Sequence, residues 1–97
     1  MRVYISGGIT GVENYQSVFS AAEETLKAQG CEVINPARTN ATLPESFSHS
    51  EYMDVCFALL DKADAILMLP GYENSRGANQ ELGYARAKGK VVFSEVR

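Results

Sequence analysis

The chain has only two cysteines and one histidine. Cys31 and Cys56 form no metal or redox spacing, so they read as buried free thiols of a cytoplasmic protein. No metal site and no cofactor are expected. His49 is alone in a polar stretch and is assigned no role. Basic residues are not in excess: 9 Lys and Arg against 12 Asp and Glu give a net charge of −3. That balance excludes nonspecific nucleic-acid binding and leaves room for a small anionic ligand at a local turn. No apolar run is long enough to span a bilayer, so no membrane partner is expected. The N-terminal apolar run is broken at once by Ser6 to Gly11, and no signal peptide is expected. Repeats and low-complexity segments are missing too. With 97 residues, the expectation is one domain over residues 1–97 with a modest core, since folding at this size buries about two-thirds of the chain's surface.

What the chain does have is alternation. Arg2-Val-Tyr-Ile-Ser6 is a short β-type run. A helix follows over about Asn14–Gln29, with Asn14 or Ser17 as cap and Gly30 as stop. Val18, Phe19, Ala22, Thr25 and Leu26 share its inner face at 3.6-residue spacing. Cys31–Asn35 is a second strand, ended by Pro36. Residues 37–48 are polar, contain Pro44 and show no period, which predicts a loop. Ser48 or Ser50 caps a second helix running to about Lys62, with Tyr52, Val55, Cys56, Leu59 and Leu60 inward. Met53 and Phe57 fall off that stripe and point to a homo-oligomer, dimer or tetramer, with this helix in the interface. Ala65–Leu69 is a buried strand, Ala78–Lys88 a third helix and Val91–Ser94 a fourth strand.

Strict β-α alternation with apolar, non-alternating strands predicts an α/β fold. It is a flavodoxin- or Rossmann-like domain with four or five parallel strands and helices on both faces. Right-handed crossovers give the strand order 2-1-3-4. The switch point then lies between strands one and three, and ligands bind such sheets at the carboxyl ends of the strands beside it.

Two glycine-containing turns fall at that point. In Gly7-Gly-Ile-Thr-Gly11 the adjacent glycines allow close backbone approach and tolerate φ > 0, although the run does not fit G-x-G-x-x-G. The second turn, Glu73-Asn-Ser-Arg-Gly77, leads from strand three into helix three. Free N–H groups and the helix dipole favour an anion there. Ser75 adds a hydroxyl and Arg76 a positive fork. Glu81 follows about one turn into the helix. A carboxylate beside a phosphate-friendly turn fits a nucleotide, with its phosphate on the turn and its sugar hydroxyls on Glu81. The candidate ligand-binding residues are Gly7, Gly8, Ile9, Asn35, Asn74, Ser75, Arg76, Gly77 and Glu81. Plainer readings stand beside these. Glu81 can meet the helix dipole, Ser75 can cap the helix and Arg76 can be solvated. Tyr4 can be a core tyrosine with a satisfied hydroxyl, and Asn35 can shape the strand end. Tyr15, Phe19, Tyr52 and Phe57 are more often core or subunit contacts than base-stacking platforms.

The runs Tyr4-Ile-Ser-Gly-Gly-Ile-Thr-Gly11, Val33-Ile-Asn-Pro36, Ala63-Asp-Ala-Ile66 and Ser75-Arg-Gly-Ala-Asn-Gln-Glu-Leu-Gly-Tyr-Ala85 resemble the nucleoside 2-deoxyribosyltransferase-like superfamily. Across nearly the whole chain they look most like its short, largely phage-encoded branch. The resemblance implies cleavage of N-glycosidic bonds of nucleosides or nucleotides. Glu81 would be the nucleophilic carboxylate, Tyr4 would orient it, and Ser75 would hold a 5′-phosphate. Gly7, Gly8 and Ile9 would line the pocket with their backbones.

One departure matters. The hydrolase relatives carry a further Asp on helix two, and that position falls at Cys56. Asp54 is two residues away and so roughly 200° around the helix. Without that carboxylate, protonation of the leaving base loses a general acid, a role typically worth ~10²–10⁴-fold. The sequence also resembles the second type of Thoeris anti-defence proteins. Those are oligomeric sponges that sequester cyclic ADP-ribose-type signals, and some also bind cyclic dinucleotides. The resemblance thus implies a small nucleotide-derived ligand held without cleavage and no catalytic residue. The alternatives are an N-glycoside hydrolase or 2-deoxyribosyltransferase using Glu81 and Tyr4, and an accessory domain with a vestigial pocket.

Overall fold

The computed structural model describes residues 1–9 and 11–94. Thr10, which belongs to the first predicted turn, lies outside the described residues. Strands β1 (Arg2–Ser6), β2 (Glu32–Ile34), β3 (Ala65–Met68) and β4 (Val91–Ser94) alternate with helices α1 (Tyr15–Ala28), α2 (Pro36–Asn40), α3 (His49–Leu60) and α4 (Arg76–Ala87). All strand pairs are parallel, in the order β2-β1-β3-β4. This is the α/β arrangement that the alternation predicts.

The two-residue period of a strand decides what each face receives. Val3 and Ile5 of β1 and Ala65 and Leu67 of β3 turn to one side. There they pack with Phe19, Ala22 and Leu26 of α1. Tyr4, Ile66 and Met68 turn to the other side and pack with Cys56 and Leu60 of α3 and Ala78, Leu82 and Ala85 of α4. Tyr4 and Ser6 therefore face α4 because they are two residues apart on β1. The first layer has no polar strand residue; the second has both.

Several local expectations are corrected. The segment after Pro36 opens as α2 instead of a loop. Asn35 adopts an extended conformation and its side chain accepts a hydrogen bond from the Ala37 N–H, with Pro36 at the first helical position. Asn-Pro is thus a cap and a helix start. On α1, Thr25 is exposed and its hydroxyl donates to the Ala21 carbonyl, while Glu23 is buried instead. On α3 the buried stripe is Met53, Cys56 and Leu60. The helix is rotated toward α4 relative to the predicted face, and Met53 packs beside Gly77. Phe57 stacks on Tyr84 at a centroid distance of 4.6 Å. Met53 and Phe57 are thereby occupied within the chain. The exposed large apolar residues among those described are Met1, Val12, Val91 and Phe93. Val91 and Phe93 belong to β4, which is an edge of the sheet.

Candidate functional site

The site is built where β1, β3 and α4 meet. Ser48 starts α3 with a capping box, its hydroxyl accepting from the Glu51 N–H and the Glu51 carboxylate accepting from the Ser48 N–H. Ser75 starts α4, its hydroxyl accepting from the Ala78 N–H at 3.2 Å. These two caps fix the near ends of both helices at the carboxyl edge of the sheet. Glu81 then projects from the second turn of α4 to β1. The Tyr4 hydroxyl donates to Glu81 Oε2, and the Ser6 hydroxyl donates to Oε1 at 2.7 Å.

Glu81 is only 6% exposed, and no cation is paired with it among the described residues. Burial pushes its carboxyl above the ordinary range, opposed in part by the hydrogen bonds of Tyr4, Ser6 and Cys56. Tyr4 is pushed well above its usual value, by burial first and then by the charge of Glu81. Cys56, on α3, is pushed up to about 11 by burial and by Glu81. Its sulfur also lies 4.0 Å from Asn40 Oδ1. One uncompensated carboxylate is thus held among three groups that keep their protons at neutral pH.

Glu81 opens onto a cavity of about 260 Å³. Gly7 and Ile9 border it from the loop after β1, and Ser75, Gly77 and Ala78 from the start of α4. Tyr15 of α1, Asn40 of α2 and His49, Tyr52, Met53 and Cys56 of α3 complete the lining. Space at Gly7 is tight. A Cβ there would lie 3.0 Å from Leu69 Cβ and Cδ1. Of the glycines in this turn, Gly11 has a positive φ, whereas Gly7 and Gly8 do not. Among the described residues no group of three or more His, Cys, Asp or Glu could hold a metal ion.

Of the residues singled out in the sequence, the cavity gathers Gly7, Ile9, Ser75, Gly77 and Glu81. Gly8 lies beside it, with the place of its missing Cβ 3.9 Å from Ser75 Cβ. Asn74 and Arg76 are exposed and outside the lining. Asn35 is also outside. Its amide donates to Glu23 Oε1 at 3.0 Å while its carbonyl accepts from Ala37, so the side chain is spent on holding α2. Sequence reasoning missed Asn40 and His49. Asn40 was hidden by reading α2 as loop, and the Asn-Pro cap was its signal. His49 follows Ser48 directly, so the Ser48/Glu51 capping pair placed it on the first turn of α3. His49 Nε2 lies 2.9 Å from Gln80 Oε1 on α4.

Residues 1–94 match the family described as Domain of unknown function (DUF4406), and the chain belongs to it. No curated protein matches the chain. Among solved structures it is similar to the 2-deoxyribosyltransferase of the psychrotolerant bacterium Bacillus psychrosaccharolyticus. The identity is 22% and the TM-score 0.75, over 100% of this chain and 77% of that one. It is also similar to the CMP N-glycosidase of Clostridium botulinum, with 21% identity and a TM-score of 0.66, over 97% of this chain and 70% of that one. The fold is therefore that of the deoxyribosyltransferases.

Proposed function

We propose that this protein binds a cyclic ADP-ribose-type or related cyclic nucleotide, places a ribose on Glu81 and releases the ligand unchanged. In this reading it is an anti-defence sponge, phage-encoded and acting in the host cytoplasm. The observation that carries the reading is the pairing of Glu81 with Cys56. A buried carboxylate without a cation suits ribose hydroxyls, which donate to it and offset its desolvation. The group beside it, where the hydrolase relatives carry a carboxylic acid, is a thiol raised to about 11. A proton held that tightly is a poor match to general-acid work near neutral pH. The bond to the base should survive.

The size of the cavity supports the same reading in a particular form. About 260 Å³ lies just below the ~300–1,000 Å³ that encloses a drug-sized ligand. A cavity of this size suits part of a cyclic nucleotide better than the whole of one. The exposed Val91 and Phe93 on the β4 edge support a homo-oligomer.

A second reading, cleavage of an N-glycosidic bond by Glu81, is favoured by the two hydroxyls that orient the carboxylate, an arrangement suited to a nucleophile. One experiment separates the two. The protein is incubated with a panel of nucleotides and cyclic ADP-ribose isomers and then heat-denatured, and the released material is analysed. Intact ligand supports the sponge; free base supports the enzyme. Turnover of nucleoside monophosphates at ~1 s⁻¹ or faster, an ordinary enzymatic rate, would replace the sponge by the hydrolase. Cys56→Asp should add hydrolysis to the wild-type binding.

A further inference from the structure

The side chains around the cavity carry two formal charges at most. One is the Glu81 carboxylate at the floor. The other is the imidazole of His49, exposed at the rim, and no other lining side chain can become cationic. Arg76, the cation that the sequence places at this turn, is exposed and does not border the cavity. An anionic ligand therefore meets a neutral or negative pocket unless His49 is protonated.

His49 is also held in place. Its Nε2 is 2.9 Å from Gln80 Oε1 on α4. Its Cε1 is 3.8 Å from where a Cβ at Gly77 would sit. The ring thus lies against the first turn of α4, next to the Ser75 cap and the free N–H groups of the helix start. With Nε2–H donating to Gln80, Nδ1 is the nitrogen left to gain or lose a proton, and in the imidazolium both nitrogens donate. Histidine is the side chain whose charge ordinarily changes between about pH 5 and 8.

We infer that His49 is the phosphate-reading cation of this pocket: held on Gln80, its imidazolium binds the phosphate or pyrophosphate of a nucleotide ligand and makes anion binding tighter as pH falls. This rests on the nucleotide reading of the site. The other titratable groups facing the cavity are Glu81 on α4, Tyr52 and Cys56 on α3 and Tyr15 on α1, with Tyr4 of β1 behind Glu81. The carboxylate of Glu51 is turned to the α3 cap. Cys56 and Tyr4 keep their protons throughout this range. Glu81, raised by burial, also becomes neutral on acidification, which removes a repulsion from the phosphate but weakens its hold on the ribose hydroxyls, so its share must be measured separately.

The test compares ADP-ribose, whose pyrophosphate stays fully ionised, with adenosine, which has none. Affinities are measured by calorimetry from pH 5.5 to 8 on the wild type, His49→Gln and His49→Arg. In the wild type, ADP-ribose should bind about tenfold more tightly at pH 5.5 than at pH 8, the size of one charge-assisted hydrogen bond at a rim. Adenosine should show no comparable gain. His49→Gln should lose most of that rise; whatever remains is the contribution of Glu81. His49→Arg should bind tightly at both ends of the range, an outcome that a merely structural histidine would not give. An unchanged pH profile in His49→Gln, with ADP-ribose still bound, overturns the role of His49 and leaves the nucleotide site standing. If the wild type binds neither probe, the nucleotide reading fails and this inference with it.

Discussion

Glu23 and Glu81 are buried almost equally, 4% and 6% exposed, on opposite faces of the sheet, and their carboxyls are shifted in opposite directions. Burial acts on both and raises both. Around Glu23 it is outweighed. Lys27 Nζ lies 2.7 Å and Arg38 3.1 Å from Oε2, and Asn35 donates to Oε1, so the carboxyl sits below its ordinary range. Around Glu81 there are only hydroxyls and a thiol, and burial prevails. The difference separates two uses of one side chain. A carboxylate that meets its cations inside the chain is a clamp: Glu23 ties α1 to the cap of α2 and so helps to hold Asn40 at the cavity. A carboxylate left without a cation keeps an unneutralised charge, to which a ligand's hydroxyls can donate.

The largest expected effect tests the open half of this comparison. Glu81→Gln should weaken binding of a ribose-bearing nucleotide by ~1.5–3 kcal/mol, one hydrogen bond to a charged group, while the thermal midpoint holds or rises. In the hydrolase reading it should abolish turnover and leave affinity largely intact. Calorimetry and a scanning melt on the same samples check both. If neither binding nor turnover of any nucleotide changes, the pocket assignment is wrong.

Glu23→Gln should do the reverse, lowering folding stability by about 1–2 kcal/mol with nucleotide affinity nearly unchanged. The figure is kept small because Lys27 and Arg38 are 57% and 62% exposed, where water screens them. Urea unfolding measures it, and a loss of affinity as large as that of Glu81→Gln would erase the distinction between clamp and site.

Acid should split the pair further. A carboxyl lowered in the folded state stabilises it above the unfolded value of 4.5, and that gain is lost as pH falls through the folded value. The deficit of Glu23→Gln should therefore shrink below about pH 4.5. A raised carboxyl works the other way: the folded state holds its proton more tightly than the unfolded state, and a penalty grows as pH rises from 4.5 through the raised value. Any stability advantage of Glu81→Gln should be absent in acid and appear as pH rises, with a slope of at most about 1.4 kcal/mol per pH unit. Parallel curves for the two variants would contradict the opposed shifts.

The smallest effect belongs to Lys27→Ala. It removes one exposed partner of Glu23 and leaves Arg38 and Asn35, so a cost of about 0.3–0.5 kcal/mol is expected in urea. A cost above 2 kcal/mol would mean that the clamp depends on one ion pair.

Much of the frame was legible beforehand. The five residues of β1, the four of β4, the sheet order and the Ser75 turn follow from apolar runs, turn residues and the handedness of β-α-β connections, all of which act over a few neighbours. Asn35 illustrates the limit. Its place before Pro36 was plain, but its amide is spent on Glu23, twelve residues away, and nothing local announces that pairing. Thr25, predicted inward, is exposed and Glu23 is buried instead, since a polar residue can go inside once cations and an amide meet it.

Local pattern by itself determined the α/β fold, the serine caps of α3 and α4 and the position of Glu81 one turn into α4. Only the tertiary structure decided that Glu81 would be received by Tyr4 and Ser6, that Met53 would turn to Gly77, and that His49 and Asn40 would join the cavity while Arg76 and Asn35 stayed out of it. The physical reason is range. Strand and helix periods are set by backbone geometry within a few residues, whereas the solvation and protonation of a buried group depend on side chains that the fold brings from far along the chain.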